Sequence, residues 1–390
     1  MSKEANELIK LNGLFFFTLS VASIFVNLFL FQLGGFYAVI KYGLLNLTFL
    51  LVIYLYSGYL LKKYSSSVLI RTGLLFFTIL YTILLLLGER SINFLIPLGI
   101  INGLANGFYW PGINLIQYNV THEHSRNEYF GKFNFFINIG SAFGPLLGGL
   151  IIYLFNLYNL KFFGYIAVFS LVAILFAILF LITNKLPSFA GIQYSSRQIL
   201  KHKRSLHWKI VLSQQFLYGL FDISFATIST VLIFLFLQQE FIIGVVNTVA
   251  SIIFAFANIL AIRLLKKNKR IYILGTLLAT FGLYLFGMSQ TWLGIFGLVL
   301  LTDVFLPILN IVTSKGIYDT VDSVKEEWKN KYYFLVERDI ALGVARILIY
   351  AILLILFTPE NQTAISKNWI LIVPIFPLII GTLQIYKEKV

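Results

Sequence analysis

Cysteine is absent from all 390 residues, which removes disulfides, zinc–thiolate sites and cysteine nucleophiles together. Charge is also scarce. Asp, Glu, Lys and Arg make up 12% of the chain, against about a quarter in a soluble domain. Acids are the rarer sign, 16 against 30 basic residues. No G-x-x-x-x-G-K-[ST] run is present, so no nucleotide is held by that kind of loop. The four histidines, His122, His124, His202 and His207, all fall in polar stretches, and His122-Glu123-His124 lacks the i, i+4 spacing of a zinc-protease helix. A G-x-S-x-G nucleophile elbow is missing too. The chain is therefore not expected to be an enzyme, and no cofactor or metal is expected.

What fills the sequence instead is apolar: 59% hydrophobic and 17% aromatic residues, with a mean hydropathy of +0.86. One water-facing core cannot hide that excess, because surface does not shrink fast enough with size. Lipid must be the solvent for most of the chain. A spanning helix needs about 20 apolar residues. Runs of that kind lie near 11–32, 37–61, 68–87, 92–118, 133–155 and 161–183, and again near 210–237, 241–265, 271–289, 291–314, 333–357 and 369–386. The first is too long for the apolar core of a cleavable signal and reads as a span. Twelve spans are expected.

Lys and Arg orient them. With the N-terminus in the cytoplasm, the termini and alternate loops on that side hold 24 of the basic residues. The opposite side offers only Lys41, Arg90, Lys161 and Lys367. Both termini are expected in the cytoplasm of a plasma-membrane protein. The same distribution accounts for the net charge of +14 without nucleic acid. The longest basic interruption, 184–209, carries Pro187, Gly191 and paired serines, a linker composition. It divides the chain into six-helix bundles at 1–183 and 210–390. An internal echo supports the division: Pro111-Gly-Ile-Asn114 in the fourth span recurs as Pro307-Ile-Leu-Asn310 in the tenth, 196 residues on. The same offset carries Asn27 to within one residue of Asp222. Two similar halves point to a repeat-built secondary transporter.

The fifth span reads Gly140-Ser-Ala-Phe-Gly144-Pro145-Leu-Leu-Gly148-Gly149. Glycines four apart open a groove for close approach of another helix, and Pro145 frees a backbone carbonyl one turn earlier. With twelve spans and a basic central loop, this run resembles the major facilitator superfamily, and specifically the G-x-x-x-G-P-x-x-G-G pattern of its drug and proton antiporters. The resemblance covers the whole chain. It implies an all-α integral membrane protein of twelve transmembrane helices, built as two pseudo-symmetric six-helix halves. It further implies alternating access, with Gly140, Gly144, Pro145, Gly148 and Gly149 at a sliding contact. The family's loop after the second span, G-x-x-x-D-[RK]-x-G-[RK]-[RK], is only half matched by Gly58-Tyr-Leu-Leu-Lys62-Lys63-Tyr64-Ser65-Ser66-Ser67. Lys62 replaces the acid, so the standard charge network of that loop cannot form.

Ionisable groups inside spans are costly and mark candidate function. Asp222 in the seventh span and Asp303 in the tenth are candidate proton carriers, or else static partners of a cation. Arg346 in the eleventh is open to binding an anionic solute or offsetting one of those carboxylates. Arg338 and Asp339, at the start of that span, read as a gating ion pair. The fourth span is polar for its depth, with Asn106, Tyr109, Trp110, Asn114 and Gln117. With Asn27, Asn138, Gln214, Tyr218 and Asn310, these form the candidate lining of a cavity for an uncharged or amphipathic solute. Interhelical hydrogen bonding is the other use of such amides. The expected activity is proton-coupled export of a small solute by a monomer in the bilayer. Proton-linked uptake, or a non-transporting receptor or scaffold, are the alternatives.

Overall fold

The computed structural model describes residues 3–120, 123–183, 186–324 and 331–389. His122, Asn184, Lys185, Lys325 and Lys329 lie outside the described residues. Every regular element among the described residues is helical, as it must be where lipid supplies no hydrogen bonds to a free backbone. In chain order the helices are α1 (Lys3–Lys63), α2 (Ser66–Leu87), α3 (Leu95–Val120), α4 (Glu123–Asn156), α5 (Lys161–Ile182), a short α6 (Ser196–Lys201) and α7 (Leu206–Leu237). They continue as α8 (Glu240–Lys267), α9 (Ile271–Met288), α10 (Trp292–Gly297), α11 (Asp303–Asp322), α12 (Tyr332–Leu356), α13 (Gln362–Ile372) and α14 (Ile375–Lys387). A 3₁₀ turn, Gly88–Phe94, joins α2 to α3, and a π turn, Leu298–Thr302, joins α10 to α11.

Ten stretches are long and apolar enough to cross a membrane. Two of them, Glu4–Lys63 and Ser66–Gln117, run to 60 and 52 residues. At 1.5 Å per residue each is at least about twice the hydrocarbon thickness, so each accommodates two crossings. The ten stretches therefore have room for twelve crossings. The first is broken at Gly34 and Gly35, and Gly35 has φ 65° and ψ −165°, a conformation open in practice only to glycine. The second is broken by the 3₁₀ turn.

The chain divides into two compact units: residues 1–191 with 237–255, and residues 192–236 with 256–390. The division falls inside α8, whose first half packs with the first unit. In that unit an aromatic cluster fills the core. Phe15 stacks on Tyr109 at 3.8 Å and Phe77 on Phe176 at 4.7 Å. Gly99, Gly103 and Gly107 of α3 lie against Tyr42, Leu45, Asn46, Leu50 and Ile53 of α1, bringing the two backbones close along four-residue spacing.

The polar stretch 186–209 contributes to each unit separately. Its first part docks at the α1–α2 junction, where Ser66 N–H donates to Phe189 O at 2.8 Å and Gly191 N–H to Leu61 O at 2.9 Å. Backbone hydrogen bonds thus hold the loop in which Lys62 stands for the family's acid. In the second unit, Glu337 of α12 is buried and gathers the rest. Arg204 Nε donates to its Oε1 at 2.5 Å, Trp208 Nε1 to its Oε2 at 2.7 Å, and His202 Nε2 lies 3.2 Å from Oε2.

Candidate functional site

Helix α3 carries a polar row at four-residue spacing. Asn106 Nδ2 donates to Asn102 Oδ1 at 3.0 Å and lies 3.4 Å from Asn46 Oδ1 of α1. Its Oδ1 accepts from Trp110 Nε1 at 3.2 Å, and one turn on Asn114 Nδ2 donates to Tyr54 Oη at 3.0 Å. Asn46, Asn102, Asn106, Trp110 and Asn114 are all partly exposed. Amides turned toward hydrocarbon would be costly, so a partly exposed amide row fits a surface wetted by water. None of these five side chains carries a charge.

Tyr109 is grouped with the cavity by sequence, but the structure puts it elsewhere. One position from Trp110 is about 100° of helix rotation, and Tyr109 is fully buried. It stacks on Phe15 and donates to Asn12 Oδ1 at 3.2 Å. Gln214 is likewise buried, and its Nε2 donates to Ile380 O and Gln384 Oε1, both at 3.3 Å. Gln117 is nearly buried on the same helix as the amide row. Asn27, Asn138, Tyr218 and Asn310 are partly exposed on four different helices.

In the second unit, Asp222 of α7 and Arg346 of α12 form a forked ion pair. Arg346 Nε donates to both carboxylate oxygens at 3.1 Å, and Nη2 donates to Oδ2 as well. Asp222 Oδ1 also accepts its neighbour's N–H, from Ile223 at 2.6 Å. Gly219, one turn before Asp222, lies against Leu342 and Ala345, so nothing holds the helices apart there. One turn beyond, the Thr227 and Tyr350 hydroxyls meet at 2.9 Å. Two of the three nitrogens of Arg346 are therefore committed to Asp222. Arg338 and Asp339 pair with each other at 2.8 Å, as neighbours on α12.

Asp303 differs. Its side chain has no hydrogen bond or ion pair among the described residues. It stands where the π turn meets α11, with its own N–H donating to Leu298 O. Pro307, four residues later, has no N–H for the Asp303 carbonyl. π turns inside helices occur often at functional positions.

The glycine run of α4 uses two faces. Gly140, Gly144 and Gly148 meet Gly13, Ser20, Val21 and Phe25 of α1. The offset face meets α8: Thr248 Oγ1 donates to Ala142 O at 2.6 Å, Gly244 lies on Pro145, and Gly149 lies on Glu240 and Phe241. Above this seam sits a cluster that sequence reading did not single out. Buried Glu240 takes Lys161 Nζ at 2.6 Å, Gln32 Nε2 at 2.8 Å and Tyr165 Oη at 3.0 Å, all on one oxygen. A Glu opening an apolar run was its only signal. A Cβ at position 144 would lie 2.7 Å from Val21 N, so Gly144→Val forces α1 and α4 apart. The expected cost is about 1–3 kcal/mol, read as a lower melting temperature in detergent.

Comparison with known proteins fits this architecture. A profile of the Major Facilitator Superfamily matches residues 11–321. The Bacillus subtilis protein YqgE is 26% identical over 347 residues, covering 87% of this chain and 79% of that protein. Among solved structures, a bacterial homologue of the human drug peptide transporters PepT1 and PepT2 superposes with a TM-score of 0.72 at 12% identity, over 99% of this chain and 98% of that one. A bacterial homologue of the iron transporter ferroportin gives 0.70 at 13% identity, over 100% of each chain. At such identities the structures establish the fold alone. With the family profile spanning most of its length, this multi-pass membrane chain belongs to the major facilitator superfamily.

Proposed function

We propose that the chain is a secondary active transporter that moves a small uncharged or amphipathic solute across the plasma membrane by alternating access, coupled to protons, in the direction of export. The amide row on α3 carries this reading. It offers donors and acceptors without a net charge, and its partial exposure fits a wetted surface. Trp110 adds an aromatic ring beside the amides. Such a surface binds hydroxyl, carbonyl or amide groups and has nothing to neutralise an ion. Asp303 is the proposed proton carrier, since no cation among the described residues pairs with it. Asp222 is the partner of Arg346. Both termini are assigned to the cytoplasm from the distribution of Lys and Arg, and the monomer is the proposed unit.

The antiporter-type run on α4 supports export. Its contacts with α8 are mostly backbone against backbone, which suits a seam that parts and closes, and the Glu240 cluster would latch it. Ala142→Cys together with Thr248→Cys places two thiols across the seam. Oxidation is expected to stop flux and reduction to restore it. Undiminished flux after complete cross-linking would show that the seam does not open.

Flux into proteoliposomes, with and without a pH gradient, tests the whole reading. Solute movement that responds to the gradient supports it, and the sign of the response separates export from uptake. No movement over a broad panel of neutral and amphipathic solutes leaves the receptor or scaffold alternative.

A further inference from the structure

We infer that the turn between α8 and α9 binds an anionic phospholipid, with its phosphate over the turn and its acyl chains along the two helices. Arg263, Lys266, Lys267, Lys269 and Arg270 put five cations into eight residues. All five are exposed, and none forms an ion pair among the described residues.

Helix electrostatics explain only part of this cluster. Lys266 and Lys267 sit in the last turn of α8, where the negative pole of the helix favours cations. Lys269 and Arg270 immediately precede α9, where the positive pole disfavours them. No side chain caps the start of α9. The one side-chain bond in the turn, from Arg270 N–H to Asn268 Oδ1 at 2.9 Å, brings no negative charge. Five like charges and a helix N-terminus therefore converge, and the one nearby carboxylate, Glu388 against the Tyr272 side chain, leaves most of that charge without an anion among the described residues. A phosphate fits that deficit, with backbone N–H groups and cations both directed at it.

The flanking helices decide between a free anion and a lipid. On α8, Phe256 and Leu260 are exposed, and the same stripe runs on through Arg263 to Lys267. On α9, Tyr284, Phe281, Leu277 and Leu274 are each about half exposed, and their stripe ends at Arg270. Two exposed apolar stripes thus run into the same basic turn. That is the shape of an amphiphile with an anionic head, whereas free phosphate would leave the tracks without a role. Basic residues just outside a spanning helix are a recognised attraction for anionic headgroups.

The test uses the whole chain purified in neutral detergent, titrated with fluorescent phosphatidylglycerol, phosphatidylcholine, or phosphatidylglycerol in competition with inorganic phosphate. The turn variant is Lys267→Gln, Lys269→Gln, Arg270→Gln. A control, Lys62→Gln, Lys63→Gln, Lys201→Gln, removes the same charge elsewhere. Phosphatidylglycerol affinity is expected to fall by at least about tenfold in the turn variant and less than about twofold in the control. Phosphatidylcholine binding should not change. Equal loss in both variants, no loss in the turn variant, or displacement by inorganic phosphate would each overturn the assignment. If the triple variant cannot be purified, Lys269→Gln with Arg270→Gln is judged by the same comparison.

Discussion

Asp303→Asn is expected to abolish gradient-driven accumulation of solute while leaving exchange of solute for solute intact. With one proton per solute, a gradient of one pH unit sustains a solute ratio of about tenfold. In the variant that ratio should collapse to unity. Asn keeps the size and polarity of the side chain but cannot change charge, so the loss would be one of coupling. Asp303→Glu should restore it, because the carboxyl returns. The expectation rests on Asp303 having no hydrogen-bond or ion-pair partner among the described residues, where a carboxyl is free to accept or release a proton. Full accumulation by Asp303→Asn would place the proton on another group.

The second large effect is on stability. Asp222→Ala or Arg346→Ala leaves one member of a nearly buried pair without its partner, with side-chain exposures of 10% and 18% in the intact pair. Losing one partner of such a pair costs about 3–5 kcal/mol, whereas removing both can be close to neutral. Each single variant should therefore melt well below the parent in detergent, and the double variant should recover most of the difference. Additive losses would mean that the two charges act separately. The pair also bears on substrate choice, because an arginine held by a carboxylate is a poor receptor for an anionic solute.

Much of the architecture was legible in the sequence, for a simple reason: lipid imposes one length scale on every crossing. The four apolar runs read over 11–118 fall on the double-length α1 and the α2–α3 stretch, which are broken near Gly34 and at Gly88–Phe94. Facing was less legible. A helix in lipid is apolar on most sides, so the pattern that orients a soluble helix is weak, and Tyr109 could not be told from Trp110. Pairing was harder still. Gln32, Lys161 and Glu240 lie 79 to 208 residues apart in the sequence, and Lys161 counted only as a rare charge on its side. Arg346 was singled out as a charge within a span but left between two roles. Sequence fixes its depth in the span, while its partner depends on the close approach of α7 to α12 at Gly219.

The π turn before Asp303 has a consequence for what surrounds that carboxyl. Trp292, Phe296 and Leu300 are exposed along one side of the tenth span, at 45%, 56% and 52%. In an uninterrupted α-helix position 303 would follow on that same lipid-facing side. The π turn, Leu298–Thr302, inserts one extra residue and sets the two halves of the span about 100° out of phase. Asp303 is thereby rotated off the hydrocarbon side. One surplus residue steers a carboxylate that is unpaired among the described residues: winding the same residues as unbroken α-helix would aim it at lipid, whereas deleting one residue of the turn would leave it facing as it does.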